Sequence, residues 1–164
     1  MHTQVGIVMG SRFQWSTMQH TAKLLAHLGI AYEARIITAN KNPNRLHEYA
    51  SEACDRGLQI IIAGSAGAAY LPGILASKTK LPVLGVSMTT NSDKHKKSYN
   101  PDLNNHTGNP VAMLDTGSGG AVNAALFAAS VLAKKYPRIR ENLIDYKRLN
   151  EPEKALLDNS TYTP

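Results

Sequence analysis

Five short apolar runs recur along the chain, at residues 5–9, 32–37, 58–63, 81–86 and 111–114, and each is followed by a loop of small or polar residues. The run at 58–63 is rich in β-branched residues and stops at Gly64, the pattern of a strand buried on both faces of a parallel sheet. Between the runs the spacing turns helical. Leu24, Leu25 and Leu28 recur at helical intervals until Gly29, with Ser16 as a predicted N-cap. Pro43 suits the first turn of a helix running on to Gly57, with Asn42 as its cap. Another helix is predicted to begin near Tyr70, and an Ala-rich one spans 121–135. Beyond Pro137 come an amphipathic segment, 139–149, and a polar tail. The alternation predicts a three-layer α/β/α sandwich around a five-stranded parallel sheet. With no repeat or linker, the expected organisation is one domain over 1–164. Its core is at about 4–135, with a C-terminal helix and tail at about 137–164.

In such sheets ligands bind beyond the carboxyl ends of the strands, near the switch in strand order. That rule gathers four loops: 10–15, 38–42, 64–70 and the polar, Asn- and Lys-rich stretch from Ser87 to residue 109. The loop of Gly64, Ser65, Ala66 and Gly67 has little side-chain bulk. It reads either as a close-approach site for an anion at the start of a helix or as a tight turn that needs small residues for packing. Neither a Walker phosphate loop nor the dinucleotide fingerprint is present. Gly117-Ser-Gly-Gly120 has too few of the fingerprint's positions and follows the last strand instead of the first.

Composition narrows the partners. A formal charge of +6 favours anionic ligands, yet the basic residues are spread out, with clusters only at 94–97 and 134–148. No motif or aromatic platform for nucleic acid accompanies them. No apolar run reaches membrane-spanning length and the N-terminus lacks a signal-peptide pattern, so a cytoplasmic location is expected. The single cysteine, Cys54, falls in the helical pattern of 49–56 and reads as a buried structural thiol. No Cys/His grouping has metal-ligand spacing.

At the predicted ligand loops the sequence resembles the PurE family. Val8-Met-Gly-Ser11 with Trp15 and Thr17-Met18 is similar to the family opening V-M-G-S-x-S-D-W-x-T-M. Thr38-Ala-Asn-Lys-Asn-Pro43 stands where the family has S-A-H-R-T-P. Ile61-Ile-Ala-Gly-Ser-Ala-Gly-Ala-Ala-Tyr-Leu-Pro-Gly73 stands for I-I-A-G-A-G-G-A-A-H-L-P-G, and Ala121-Val-Asn-Ala-Ala-Leu126 for A-A-N-A-A-L. The resemblance implies a flavodoxin-like subunit in a homo-octamer, with active sites at subunit contacts and no metal or organic cofactor. It implies carboxy-group transfer on aminoimidazole ribonucleotide. Carbon dioxide is released from a carbamate, held in a closed pocket and attached to the neighbouring ring carbon, while a histidine shuttles the proton.

Carried over by position, the resemblance places ligand contacts at Gly10, Ser11, Phe13, Gln14, Thr38, Lys41, Gly64, Ser65, Ala66, Gly67 and Leu71. It places the chemistry at Asn40 and Tyr70. Several of these depart from the family pattern. Asn40 occupies the position of the proton-shuttling histidine, and a carboxamide does not exchange protons near neutral pH. Lys41 replaces an arginine, keeping the charge without the bidentate fork. Phe13-Gln14 replaces Ser-Asp, removing a hydroxyl and a carboxylate and adding a ring able to stack. Tyr70 replaces a second histidine. His20, His27 and His47 fall in helical segments as surface or partly buried side chains, while His95 and His106 lie in the loop after the fourth strand. Two readings follow. One is an enzyme acting on an anionic heterocycle, a ribonucleotide or heterocyclic carboxylate, with reduced ordinary mutase activity. The other is a ligand-binding or structural paralogue that keeps only the fold.

Overall fold

The computed structural model describes residues 2–65, 71–88 and 108–150, and within them all five predicted strands form. They are β1 (Val5–Met9), β2 (Tyr32–Ile36), β3 (Ile60–Ser65), β4 (Val83–Ser87) and β5 (Ala112–Thr116). Every pairing is parallel and the sheet order is β2-β1-β3-β4-β5. The order reverses between β1 and β3, so the switch point lies where their carboxyl ends diverge. All of β1 and β3 is buried, as the continuous apolar runs require of strands covered on both faces.

The helices are α1 (Trp15–His27), α2 (Pro43–Glu52), α3 (Leu71–Ala76), α4 (Gly117–Leu132) and α5 (Pro137–Leu149). Two separate cores give the three layers. Met18 and Leu25 of α1, with Leu28 just beyond its end, pack with Ala124, Ala128 and Leu132 of α4 and Leu143 of α5 on one face of the sheet. Leu46 and Ala50 of α2 pack with Leu71 and Leu75 of α3 on the other. Alanine along α4 lets that helix lie close to its neighbours, and buried Thr21 Oγ1 donates to the Ala121 carbonyl at 2.8 Å across the α1–α4 contact. The architecture is the α/β/α sandwich that the alternation of strands and helices predicts, and it is flavodoxin-like as the resemblance implies.

Four local expectations are corrected. The third strand is displaced towards the C-terminus from 58–63 to Ile60–Ser65, so Gly64 and Ser65 belong to the strand and not to the loop. Strand β4 holds them there: Gly64 pairs with Val86 and Ser65 with Ser87. Ser16 is not a cap, because a 3₁₀ turn at Arg12–Gln14 precedes α1 and the Ser16 hydroxyl donates to the Phe13 carbonyl at 3.1 Å. Asn42 does hold the N-cap position of α2, but without a side-chain capping bond. Cys54 is exposed, because α2 stops at Glu52 and turns lead on to Gly57, whose φ of 92° suits only glycine. Finally, Gly117-Ser-Gly-Gly120 is the first turn of α4, not a loop leading into it.

Candidate active site

The loops after β1 and β2 are tied together at a single peptide. Gly10, the first residue beyond β1, donates its N–H to Gln14 Oε1 at 2.9 Å. Its carbonyl accepts from Thr38 Oγ1 at 2.8 Å, and the Met9 carbonyl accepts from the Ile37 N–H at 2.8 Å. The 3₁₀ turn makes the first contact possible, since it folds the chain back so that Gln14 lies beneath Gly10. The second ties the Thr38 loop to the opening loop. That loop is itself closed by the Lys41 and Asn42 N–H groups, both donating to the Thr38 carbonyl, at 3.1 and 2.9 Å.

These bonds shape a cavity of about 190 Å³ at the carboxyl ends of the strands. Gly10, Ser11 and Gln14 line it from the first loop, Thr38, Ala39 and Asn40 from the second, and Gly64 and Leu71 from either side of the third. Gly64 has no side chain, which lets Gln14 and Met88 approach its backbone closely. A Cβ there would stand 2.9 Å from Gln14 Oε1 and 3.0 Å from Met88 Cε. Met88 is set by its N–H donating to the Ser65 carbonyl at 2.8 Å.

Seven of the expected site residues thus converge: Gly10, Ser11, Gln14, Thr38, Asn40, Gly64 and Leu71. Ser65 is buried at the end of β3, next to this lining but not in it. Phe13 is 85% exposed and Lys41 is exposed; neither lines the cavity. Ala66, Gly67 and Tyr70 lie outside the described residues, as do His95 and His106. Position-by-position reasoning missed Ala39 and Met88. Ala39 stood in a quoted motif without chemistry of its own. Met88 shows no sequence signal, since its role is to press on a glycine of the neighbouring strand.

Chemically the described lining is uncharged. It offers a hydroxyl from Ser11, carboxamides from Gln14 and Asn40, and backbone, with no side chain that titrates near neutrality. His20, His27 and His47 are surface or partly buried residues away from it, and His27 packs edge-on against Tyr146. The ion pairs among the described residues lie elsewhere, at Glu33 on β2, with Arg35 at 3.0 Å and Arg56 at 2.9 Å. Burial alone would raise the Glu33 carboxyl, but hydrogen bonds from Arg56 and Arg35 outweigh it and hold the group below its ordinary value. Among the described residues no group of three His, Cys, Asp or Glu could hold a metal ion.

The model of the family described as AIR carboxylase matches residues 4–153. The chain belongs to the AIR carboxylase family. It is 46% identical over 159 residues to the N5-carboxyaminoimidazole ribonucleotide mutase of Pseudomonas aeruginosa, covering 97% of this chain and 96% of that one. The Pyrococcus abyssi protein of the same name is 43% identical over 144 residues, covering 88% and 82%. Among solved structures, PurE of Treponema denticola superposes with a TM-score of 0.76 over 90% of both chains, at 24% identity, a likeness of fold. These AIR carboxylase relatives span nearly the whole sequence, so the loops that meet at the cavity all fall within the matched region.

Proposed function

We propose that this AIR carboxylase family member binds N5-carboxyaminoimidazole ribonucleotide, or a closely related anionic imidazole carboxylate, in the cavity between Gly10, Asn40 and Gly64. The reaction class is carboxy-group transfer of the purine-biosynthetic type. The observation that carries the reading is the convergence of three separate family-motif segments on one cavity at the switch point of the sheet. Ser11 and Lys41 would meet the ligand's anionic group, with Phe13 beside its ring. The run from Gly64 through Ser65, Ala66 and Gly67 would surround the carboxylate, and Asn40 and Tyr70 would orient the ring. Attaching carbon dioxide to a ring carbon expels that carbon's proton, which needs an acceptor. The Asn40 carboxamide is not one, so turnover is expected to be slow.

Titration calorimetry with N5-carboxyaminoimidazole ribonucleotide, run beside a turnover assay, tests the reading. Saturable binding with slow conversion is the expected result, and absence of binding would overturn it. A second reading, a non-catalytic binding paralogue, is favoured by the lack of any side chain titrating near neutrality in the described lining. Tight binding with no conversion at any pH would select it.

Assembly as a homo-octamer and a cytoplasmic location belong to the same proposal. No helix among the described residues is long and apolar enough to cross a membrane. Helices α4 and α5 leave Phe127, Val131, Ile144 and Leu149 exposed, the last at 81%. Such side chains on neighbouring helices suit burial between subunits. Sedimentation velocity of the purified chain is expected to show an octamer, and a stable monomer at micromolar concentration would remove this part.

A further inference from the structure

A second cavity, of about 620 Å³, lies at the amino ends of β1 and β3. A strand's length, about 17 Å for five residues, separates it from the cavity at their carboxyl ends. Its volume falls in the range of small-molecule sites, about 300–1,000 Å³. Hydrogen bonds fix its walls. Gln4 precedes β1 and Gln59 precedes β3; the Gln59 N–H donates to the Gln4 carbonyl at 2.8 Å, and the Gln4 N–H to the Ala31 carbonyl at 2.8 Å. The corner between α4 and α5 closes one side. There the Lys135 and Tyr136 N–H groups donate to the Leu132 carbonyl at 3.0 and 2.9 Å, and Arg140 Nε to the Ala133 carbonyl at 3.1 Å. Buried Leu58 and Ile139 supply an apolar wall.

The lining carries the cations Lys135 and Arg138 and no carboxylate. Both open the basic run at 134–148, which the active-site cavity does not use. The Lys135 ammonium lies over the Tyr136 ring, 5.5 Å from its centroid, and Gln59 Nε2 donates to Tyr136 Oη. The Gln59 bond holds the phenol below its ordinary value against burial, and Gln4 and the Lys135 charge act in the same direction. Surroundings that favour a phenolate favour any other anion placed there.

We propose that this cavity is a second ligand site, for a phosphorylated ring compound of mononucleotide size. Its phosphate sits between Lys135 and Arg138, and its ring lies against Leu58 and Ile139. Charge selects phosphate over carboxylate, because a phosphate monoester carries about −1.5 to −2 at neutrality and so matches two cations. The site is separate from the cavity assigned to the imidazole carboxylate and does not rest on that reading.

Cys54 gives a local reporter. It is the chain's single cysteine, it is exposed, and it lines this cavity, so its rate of labelling by a thiol reagent reads occupancy here and not at the active site. Adenosine monophosphate, as the probe, is expected to slow labelling severalfold at saturation. Adenosine and inorganic phosphate each offer half of the contacts and should need roughly tenfold higher concentrations or more for the same protection. Lys135 and Arg138 are exposed, so the double variant Lys135→Ala/Arg138→Ala should keep the wild-type melting temperature. Its affinity for the nucleotide, read from the protection, should fall about tenfold or more. Protection by adenosine or by phosphate as good as that by the nucleotide overturns the assignment. So does protection that survives in the double variant, or none from any of the three compounds in the wild type.

Discussion

Replacing Asn40 with histidine is expected to raise conversion of N5-carboxyaminoimidazole ribonucleotide by on the order of 10²–10⁴, the usual contribution of one positioned general acid–base group. The position is right for it. Asn40 lines the cavity, on a loop held by the Thr38–Gly10 bond and by two N–H groups converging on the Thr38 carbonyl. A side chain introduced there starts from a fixed backbone and does not have to find one. Asparagine and histidine are close enough in size for an exposed position to accept the change without repacking. The added activity should carry a new ionisation near the ordinary imidazole range, about 6.5, visible in the pH dependence of kcat/KM. Asn40→Ala is the control. It should bring neither the gain nor the new ionisation, since it adds no proton acceptor, and losing the orienting amide should lower turnover below the wild-type level. Wild-type turnover already as fast as that of the histidine variant would show that some other group carries the proton.

The number of strands and the layering were legible because they rest on periodicity. Apolar runs such as that at 58–63 have few other uses, and each run was followed by residues that suit a turn. Much of the cavity was legible for a different reason. The rule placing ligands at the switch point acts on topology alone, and Gly10, Thr38 and Gly64 each end a strand or follow one. What could not be read was anything set by a partner distant in sequence. The end of β3 lies two residues later than its composition suggests because β4 continues to pair with it through Ser65, and pairing overrides the propensity of Gly64 to break a strand. Gln14 looked like a ligand contact and proves to be a loop clasp as well, which only the 3₁₀ turn reveals. Cys54 looked buried because the helical pattern was extended past Glu52, where the turns to Gly57 rotate it outward.

The glycines that open α4 carry the largest expected effect on stability, and two neighbours should respond with opposite signs. Helix propensity alone favours alanine over glycine by about 0.5–1 kcal/mol at an interior position. At Gly119 nothing lies within 4 Å of a built Cβ, so Gly119→Ala should gain stability of about that size. At Gly120 the same methyl group would stand 2.6 Å from the Asp115 carbonyl carbon and closer still to the Asp115 and Leu114 oxygens. Those atoms are backbone and cannot step aside as a side chain would. Asp115 already adopts φ 64°, with Oδ1 accepting the Thr116 N–H at 2.7 Å, and Gly117 follows at φ 67°. This sharp reversal lets α4 start directly where β5 ends, and it brings the carbonyls against the helix. Overpacking against fixed backbone costs about 3 kcal/mol or more, which exceeds the propensity gain several-fold. Gly120→Ala is therefore expected to lower the melting temperature by roughly 6–12 °C and shift the urea midpoint downward, while Gly119→Ala raises both slightly. Equal and positive shifts for the two variants would mean that α4 does not approach β5 this closely. Its first turn would then be placed by helix propensity alone.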